Sequence, residues 1–323
     1  MYNKAPLQAK VIDLHNDLLA YLALSPSRTP DEESCGSAQQ FRKGGVRYQV
    51  LPVFSATEHD SEKTIEVQLN CFSKLTELYP DDFSTSHTPG TIGLLWSIEN
   101  VSAFLGEDEP IEVGIKRLET SCRRFGPPVY VSLTWNGENR CGGGPGINKG
   151  LTDDGRAIIE ALDPAVSIDL SHTSDALACD LIEEGFRFLI ASHSNFRSVI
   201  DAPRNLPDEI AQEIVARNGV IGLNVIKPFV GESEETFLDH IEYALMKGWG
   251  NALSLGSDFY SMTVIPEEHR EKFKDHFFSS WKDPSSVQDI AAQVTSRFGE
   301  DVAHNIFWNN AWERLISPYL NRA

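Results

Sequence analysis

Apolar residues in this chain fall into two kinds of stretch that alternate along its length. Short runs rich in β-branched residues occupy positions 11–14, 46–54, 92–98, 129–134, 166–170, 188–191, 220–225 and 252–255. Most are almost continuously apolar, the pattern of strands covered on both faces. Between them lie amphipathic segments with helical spacing, at 62–79, 111–125, 154–162, 175–184, 208–217 and 234–247. Asn205-Leu-Pro207 opens one of these helices and Gly219 follows its end, as start and stop signals should. Two more helical patterns, 287–298 and 302–320, follow the last strand.

Eight strands alternating with helices predict a parallel (β/α)8 TIM barrel with extra C-terminal helices. A doubly wound open sheet is the rival. It calls for a glycine-rich turn after the first strand, where this chain has His15-Asn16-Asp17. The polar, glycine-containing segment 28–47 reads as a long loop or insertion near the barrel mouth. No shift of composition marks a boundary, so residues 1–323 are expected to form a single barrel domain.

Composition narrows the class. Hydrophobic residues make up 41% of the chain, enough for a sizeable core. The net charge of −19 repels phosphate at long range, which argues against nucleic acid or an anionic membrane as partner. The five cysteines are odd in number and form no CxxC, so neither a disulfide framework nor a zinc knuckle is expected. A reducing, cytoplasmic compartment fits that usage. The N-terminal stretch lacks the pattern of a signal peptide, and no run is long enough to span a bilayer.

The predicted strand ends carry the chemistry. The first ends in His15-x-Asp17, the third in Ile98-Glu99, the fifth in Asp169-Leu-Ser-His172, the sixth in Ala191-Ser-His193-Ser194 and the eighth in Gly256-Ser-Asp258. Alternate residues of a strand share a side, so His15 and Asp17 can both face the barrel axis. Catalytic groups of barrels gather at the C-terminal rim. Imidazole and carboxylate suit zinc and related divalent ions, and a carboxylate from a middle strand can bridge two metals about 3.5–4 Å apart. Any one of these histidines alone reads better as a hydrogen-bonded structural residue than as a ligand. Their coincidence with strand ends gives the set its weight. Asp13 and Asp169 read as carboxylates that orient ligands. His59, His87, His240, His269, His276 and His304 fall in polar or helical stretches and are assigned to the surface. GxSxG, HExxH and P-loop motifs are absent, and Gly142-Gly-Gly144 reads as a flexible loop.

Together these residues resemble the membrane dipeptidase (renal dipeptidase) family, peptidase family M19, among the amidohydrolase-like metal-dependent hydrolases. The matches are Val11-Ile-Asp-Leu-His-Asn-Asp17, Ser97-Ile-Glu99, Leu133-Thr-Trp-Asn136, Gly150-Leu-Thr-x-x-Gly155, Asp169-Leu-Ser-His172, Ser192-His-Ser194, Arg204-Asn-Leu-Pro-Asp208 and Gly256-Ser-Asp258-Phe259, in the family's order. The resemblance implies two zinc ions per chain. His15 and Asp17 would hold one, His172 and His193 the other, and Glu99 would bridge them. Arg204 resembles the arginine that binds the substrate's terminal carboxylate, with Trp135 and Asn136 also at the substrate. Asp258 resembles the acid that shuttles a proton near the scissile bond. The implied reaction is hydrolysis of a dipeptide, including L,D-dipeptides, by a metal-bridging hydroxide in a homodimeric enzyme.

This chain departs from the family's pattern twice. Trp135 stands where animal members carry a histidine, and Asn100-Val-Ser102 replaces a glycine-rich sequence after the bridging glutamate. The first departure bears on substrate preference. It keeps two alternatives open, an amidase or deacylase acting on N-acyl amino acids or lactones, and a degenerate barrel without turnover.

Overall fold

The computed structural model describes residues 9–86 and 88–322, so His87 lies outside the described residues. Among these residues the strands are β1 Val11–Asp13, β2 Val46–Phe54, β3 Phe83–Ser84, β4 Ile92–Glu99, β5 Tyr130–Ser132, β6 Ser167–Asp169, β7 Leu189–Ile190, β8 Ile221–Leu223 and β9 Leu253–Leu255. All their pairings are parallel. The order is β7-β6-β5-β4-β2-β1-β9-β8, with β3 flanking β4 outside the ring. A parallel bridge between Ala191 and Ile221 joins β7 to β8 and closes the circle. There Ala191 N donates to Val220 O at 2.9 Å, and Gly222 N donates to Ala191 O at 2.7 Å. The fold is the expected (β/α)8 barrel.

Apart from β2 and β4, the strands are shorter than their apolar runs. Val129, Leu133, Val166, Leu170, Val220 and Val225 lie just outside the strands yet stay buried, and Val129, Leu170, Val220 and Val225 still share backbone hydrogen bonds with neighbouring strands or strand ends. The longest ladder pairs Tyr48–Phe54 of β2 with Gly93–Glu99 of β4 and carries Glu99 to the C-terminal rim.

The opposite end of the barrel is stoppered by the C-terminal helix. Residues 300–320 run as one helical stretch containing two wider π turns, Asn305–Asn309 and Trp312–Ile316. Ala311, Leu315 and Ile316 join Ile12, Leu14, Tyr48, Val50, Leu95, Tyr130, Ile190 and Val220 in one apolar cluster. Trp308 and Trp312 stack at 5.4 Å and both lie against Tyr48. Asn310 Nδ2 donates to the Gly250 and Leu253 carbonyls at 2.9 and 2.8 Å, tying the helix to the start of β9.

Three expectations need correction. Segment 28–47 is not simply loop. It holds a 3-10 turn at Glu32–Ser34 and a helix at Ala38–Lys43, closed by a capping box between Ser37 and Gln40. Six helical residues are too few to show a period. His240 is fully buried, not on the surface. Its Nδ1 accepts from Phe196 N and its Nε2 donates to Val230 O, both at 3.2 Å, and burial pushes its pKa down to about 4. His276 is half-buried against the Tyr260 hydroxyl at 2.7 Å, whereas His59, His269 and His304 are exposed as expected. Among the described residues no helix is long and apolar enough to cross a membrane.

The floor of the barrel is testable. Ile316→Ala removes a fully buried side chain from the stopper. It should cost roughly 2–5 kcal/mol of stability, the usual range for such truncations. Urea unfolding followed by circular dichroism checks this, and a loss under about 0.5 kcal/mol, the size of an ordinary surface effect, would show that the helix does not seal the barrel.

Candidate active site

Five of the predicted strand ends deliver their polar side chains to one pocket at the C-terminal rim. His15 follows β1, Glu99 ends β4, His172 lies beyond β6, His193 beyond β7 and Asp258 beyond β9. His172 and Asp258 adopt left-handed backbone, with φ of 62° and 63°. Such strain costs on the order of 1–3 kcal/mol per residue and persists where surrounding structure enforces it. Close approach beneath His193 is made possible by glycine. A Cβ on Gly222 would lie 2.0 Å from Ser192 O, and one on Gly256 would lie 1.8 Å from it.

The three imidazoles are held in the same way. His15 donates from Nδ1 to the Tyr130 hydroxyl at 2.9 Å, and that hydroxyl donates onward to Leu14 O. His193 donates from Nδ1 to Ser192 Oγ at 2.7 Å, and Ser192 Oγ donates to Asp169 Oδ2 at 2.6 Å. His172 donates from Nδ1 to Asn136 Oδ1 at 2.9 Å. With each Nδ1 engaged as a donor, the neutral tautomer leaves Nε2 as a lone pair facing the pocket. Burial pushes His172 down to about 4 and His193 well below its ordinary value, which favours those neutral forms. At His15 burial acts in the same direction, but Tyr130 and the Glu99 and Asp17 carboxylates outweigh it and hold that imidazole well above its ordinary value, so positive charge is favoured at this point of the pocket.

The lone pairs converge on Glu99. Its Oε2 lies 3.3 Å from His15 Nε2, and its Oε1 lies 3.0 Å from His172 Nε2 and 3.7 Å from His193 Nε2. Asp17 Oδ1 and Asp258 Oδ1 stand 3.7 and 3.8 Å from His15 Nε2. The Nε2 atoms of His172 and His193 are 3.0 Å apart. His15 Nε2 and Asp17 Oδ1 are buried with no hydrogen-bond partner. Lone pairs and carboxylate oxygens packed this closely repel one another unless cations lie among them, and imidazole with carboxylate is a donor set suited to zinc. The residues present therefore fit a divalent metal centre. The sets His15, Glu99, His193 and His15, Asp17, Asp258 each bring their ligand atoms within 4.8 Å of one another.

Around this centre, Arg204 is buried, donating to Ser194 Oγ at 2.6 Å and His193 O at 3.0 Å, with its Nε unpartnered. Burial lowers its pKa, opposed by Asp258 and Glu99. It does not pair with Asp208, which is taken by Lys247 and Tyr243. Arg197 pairs with Asp175 through both terminal nitrogens and is occupied elsewhere. Burial, with the Asp17 and Glu99 carboxylates close by, holds the Asp258 carboxyl well above its usual range. Trp135 is half-buried, edge-to-face with Phe54 at 4.9 Å and 6.2 Å from the His172 ring. Asn136, expected at the substrate, accepts from His172 Nδ1 at 2.9 Å through Oδ1. Gly142-Gly-Gly144 is no flexible loop, since a Cβ on Gly144 would lie 2.0 Å from Trp135 O. The support Tyr130 carried no signal of its own in the sequence, and Ser192 entered only within the Ser192-His-Ser194 match.

Residues 6–313 match the family model of membrane dipeptidases, peptidase family M19. The chain belongs to the M19 family. Its members are metal-dependent dipeptidases, so this chain is a peptide-bond hydrolase of that class. An uncharacterized dipeptidase of Schizosaccharomyces pombe is 24% identical over 342 residues, covering 92% of this chain and 82% of the relative. A dipeptidase of Clonostachys rogersoniana is 26% identical over 292 residues, covering 80% and 74%. The fold is also that of a Rhodobacter sphaeroides metallopeptidase, solved with a phosphinate mimic of the dipeptide L-Ala-D-Ala. The TM-score is 0.77 at 19% identity, over 95% of this chain and 99% of the other.

The support of His193 yields a prediction. Ser192→Ala removes the acceptor for Nδ1 and breaks the link to Asp169, so the affinity for a divalent metal should fall about 10–100-fold. Chelator competition on the folded variant measures it, and wild-type affinity would show that Ser192 does not set the ligand's orientation.

Proposed function

We propose that this M19 enzyme is a zinc dipeptidase with two zinc ions per chain. His15 and Asp17 would hold one and His172 and His193 the other, with Glu99 between the two sets, its Oε2 beside His15 and its Oε1 beside His172 and His193. The observation that carries this reading is the convergence of three Nδ1-donating histidines on the two oxygens of Glu99. When bound, such a metal pair acts as a Lewis acid on the scissile carbonyl and supplies a water of lowered pKa.

The chain's own groups handle the rest. Arg204 is a buried guanidinium with no carboxylate partner, two nitrogens donating to the protein and Nε left over. Its planar fork suits the substrate's C-terminal carboxylate, and burial strengthens that pairing. Asp258, whose carboxyl is held above its usual range by burial and by the Asp17 and Glu99 carboxylates, stands beside the ligand cluster where it would take up a proton and hand it to the leaving amine. Trp135 forms a pocket wall with Phe54 and offers one indole N–H but no charge. Acceptance of a D-residue at the C-terminal position is part of the proposal, supported by the L-Ala-D-Ala mimic in the Rhodobacter sphaeroides relative.

The test uses a dipeptide, its C-terminal amide and its N-acetyl derivative. The zinc-loaded enzyme should hydrolyse the free dipeptide and discriminate against the amide. Arg204→Met should lower kcat/KM for the dipeptide by roughly 10²–10³, the effect of breaking a desolvated charge pair, and should lose most of the discrimination. Equal discrimination by both proteins removes Arg204 from the substrate site. Preference for the N-acetyl compound reassigns the enzyme to deacylation.

A further inference from the structure

The residue after Glu99 is under strain that its side chain explains. Asn100 has φ 74° and ψ 117°, a conformation costly for anything but glycine, and it is fully buried. Its amide uses all four of its hydrogen-bonding positions. Nδ2 donates to Ser55 O at 2.7 Å and Thr57 Oγ1 at 3.1 Å. Oδ1 accepts from Ser102 N at 3.1 Å and from Asn139 Nδ2 at 2.9 Å. Asn139, also buried, is equally saturated. Its Nδ2 donates a second bond to Leu133 O at 2.7 Å, and its Oδ1 accepts from Cys141 N and Gly142 N at 2.8 and 3.1 Å.

This pair ties the turn after Glu99 to the loop that leaves β5. That loop in turn holds His172 at two points. Thr134 Oγ1 donates to His172 O at 2.7 Å, and Asn136 Oδ1 accepts from His172 Nδ1 at 2.9 Å. A short path of saturated amides thus runs from Glu99 through Asn100, Asn139 and the loop to His172.

We propose that Asn100 and Asn139 are positioning residues of the metal centre, fixing the β5 loop against the turn after Glu99 so that His172 and Glu99 keep the separation a shared cation needs. The inference rests on the reading of His172 and Glu99 as metal ligands. Neither asparagine touches the pocket atoms. Their effect passes through Asn136 and the Glu99 backbone, and it adds side-chain bonding in the Asn100-Val-Ser102 turn, where the family resemblance leads one to expect a glycine-rich sequence.

Asn100→Gly tests this with little backbone penalty, because glycine accepts φ 74° and only the amide is lost. Asn139→Asp is the second variant. It keeps acceptors for Cys141 N and Gly142 N while losing the donors to Asn100 and Leu133. Zinc affinity of the folded proteins is measured by chelator competition, alongside thermal unfolding and steady-state kinetics on a dipeptide. Each variant should remain folded and bind one of its zinc ions about 10–100-fold more weakly. At subsaturating zinc kcat should fall, with added zinc restoring much of it. Ile316→Ala, destabilised at the far end of the barrel, should keep wild-type zinc affinity. Variants that hold zinc as tightly as wild type while melting earlier overturn this inference and make the pair purely structural. A wild-type protein that takes up no zinc overturns the metal-site reading itself.

Discussion

The constraint on which the rest of the molecule depends is the burial of lone pairs and carboxylates at one point. Glu99 sits among His15, His172 and His193 with contacts of 3.0–3.7 Å, and His172 and His193 bring their Nε2 atoms to 3.0 Å. Without positive charge between them these atoms repel, and their desolvation is not repaid. The fold tolerates the arrangement because each histidine is anchored from behind. Tyr130, Ser192 and Asn136 each accept the Nδ1 proton. Engaging each Nδ1 in this way turns every Nε2 towards the pocket before any cation arrives, so less ordering remains when one binds.

The scaffold meets this demand by dividing the barrel into two ends. The C-terminal helix fills the far end with Leu315, Ile316 and a stacked tryptophan pair, so stability is drawn from apolar packing remote from the chemistry. The near end is polar and locally strained, with left-handed His172 and Asp258 and the tight backbone approach at Gly222 and Gly256. Asp13 and Asp169 stand between the two. Asp169 accepts from Ser132 Oγ, Ser171 N, and Ser192 N and Oγ, and Asp13 accepts from Ser257 N and Oγ and from His15 N. They tie neighbouring strand ends together just below the histidines.

Much of this was legible in the sequence, for a physical reason. His15, Glu99, His172, His193 and Asp258 each interrupt or follow an apolar run, and a parallel barrel sends every such boundary to the same rim. The eight strand positions followed from the same runs, although ladder pairing stops earlier than burial does. What was not legible depends on contacts distant along the chain. His15 meets Tyr130, 115 residues away, and Ser257 bonds Asp13 across 244 residues. Nothing local distinguishes Asn139 from a surface polar residue, and the strand end that holds Ser192 does not reveal that its hydroxyl links His193 to Asp169. Short helices such as Ala38–Lys43 escape periodicity, and β3, two residues long, carries no alternation to read. His240 looked like a surface residue because its helix is polar on one face, yet it is buried and paired at both nitrogens.

The central claim is that Glu99 bridges two cations held by histidines of fixed tautomer. Anomalous diffraction at the zinc edge, from crystals of the zinc-loaded protein, tests it most directly. The account predicts two peaks per chain, one beside His15 and Asp17 and one beside His172 and His193, with Glu99 between them. A single peak, or none after full reconstitution, would contradict it.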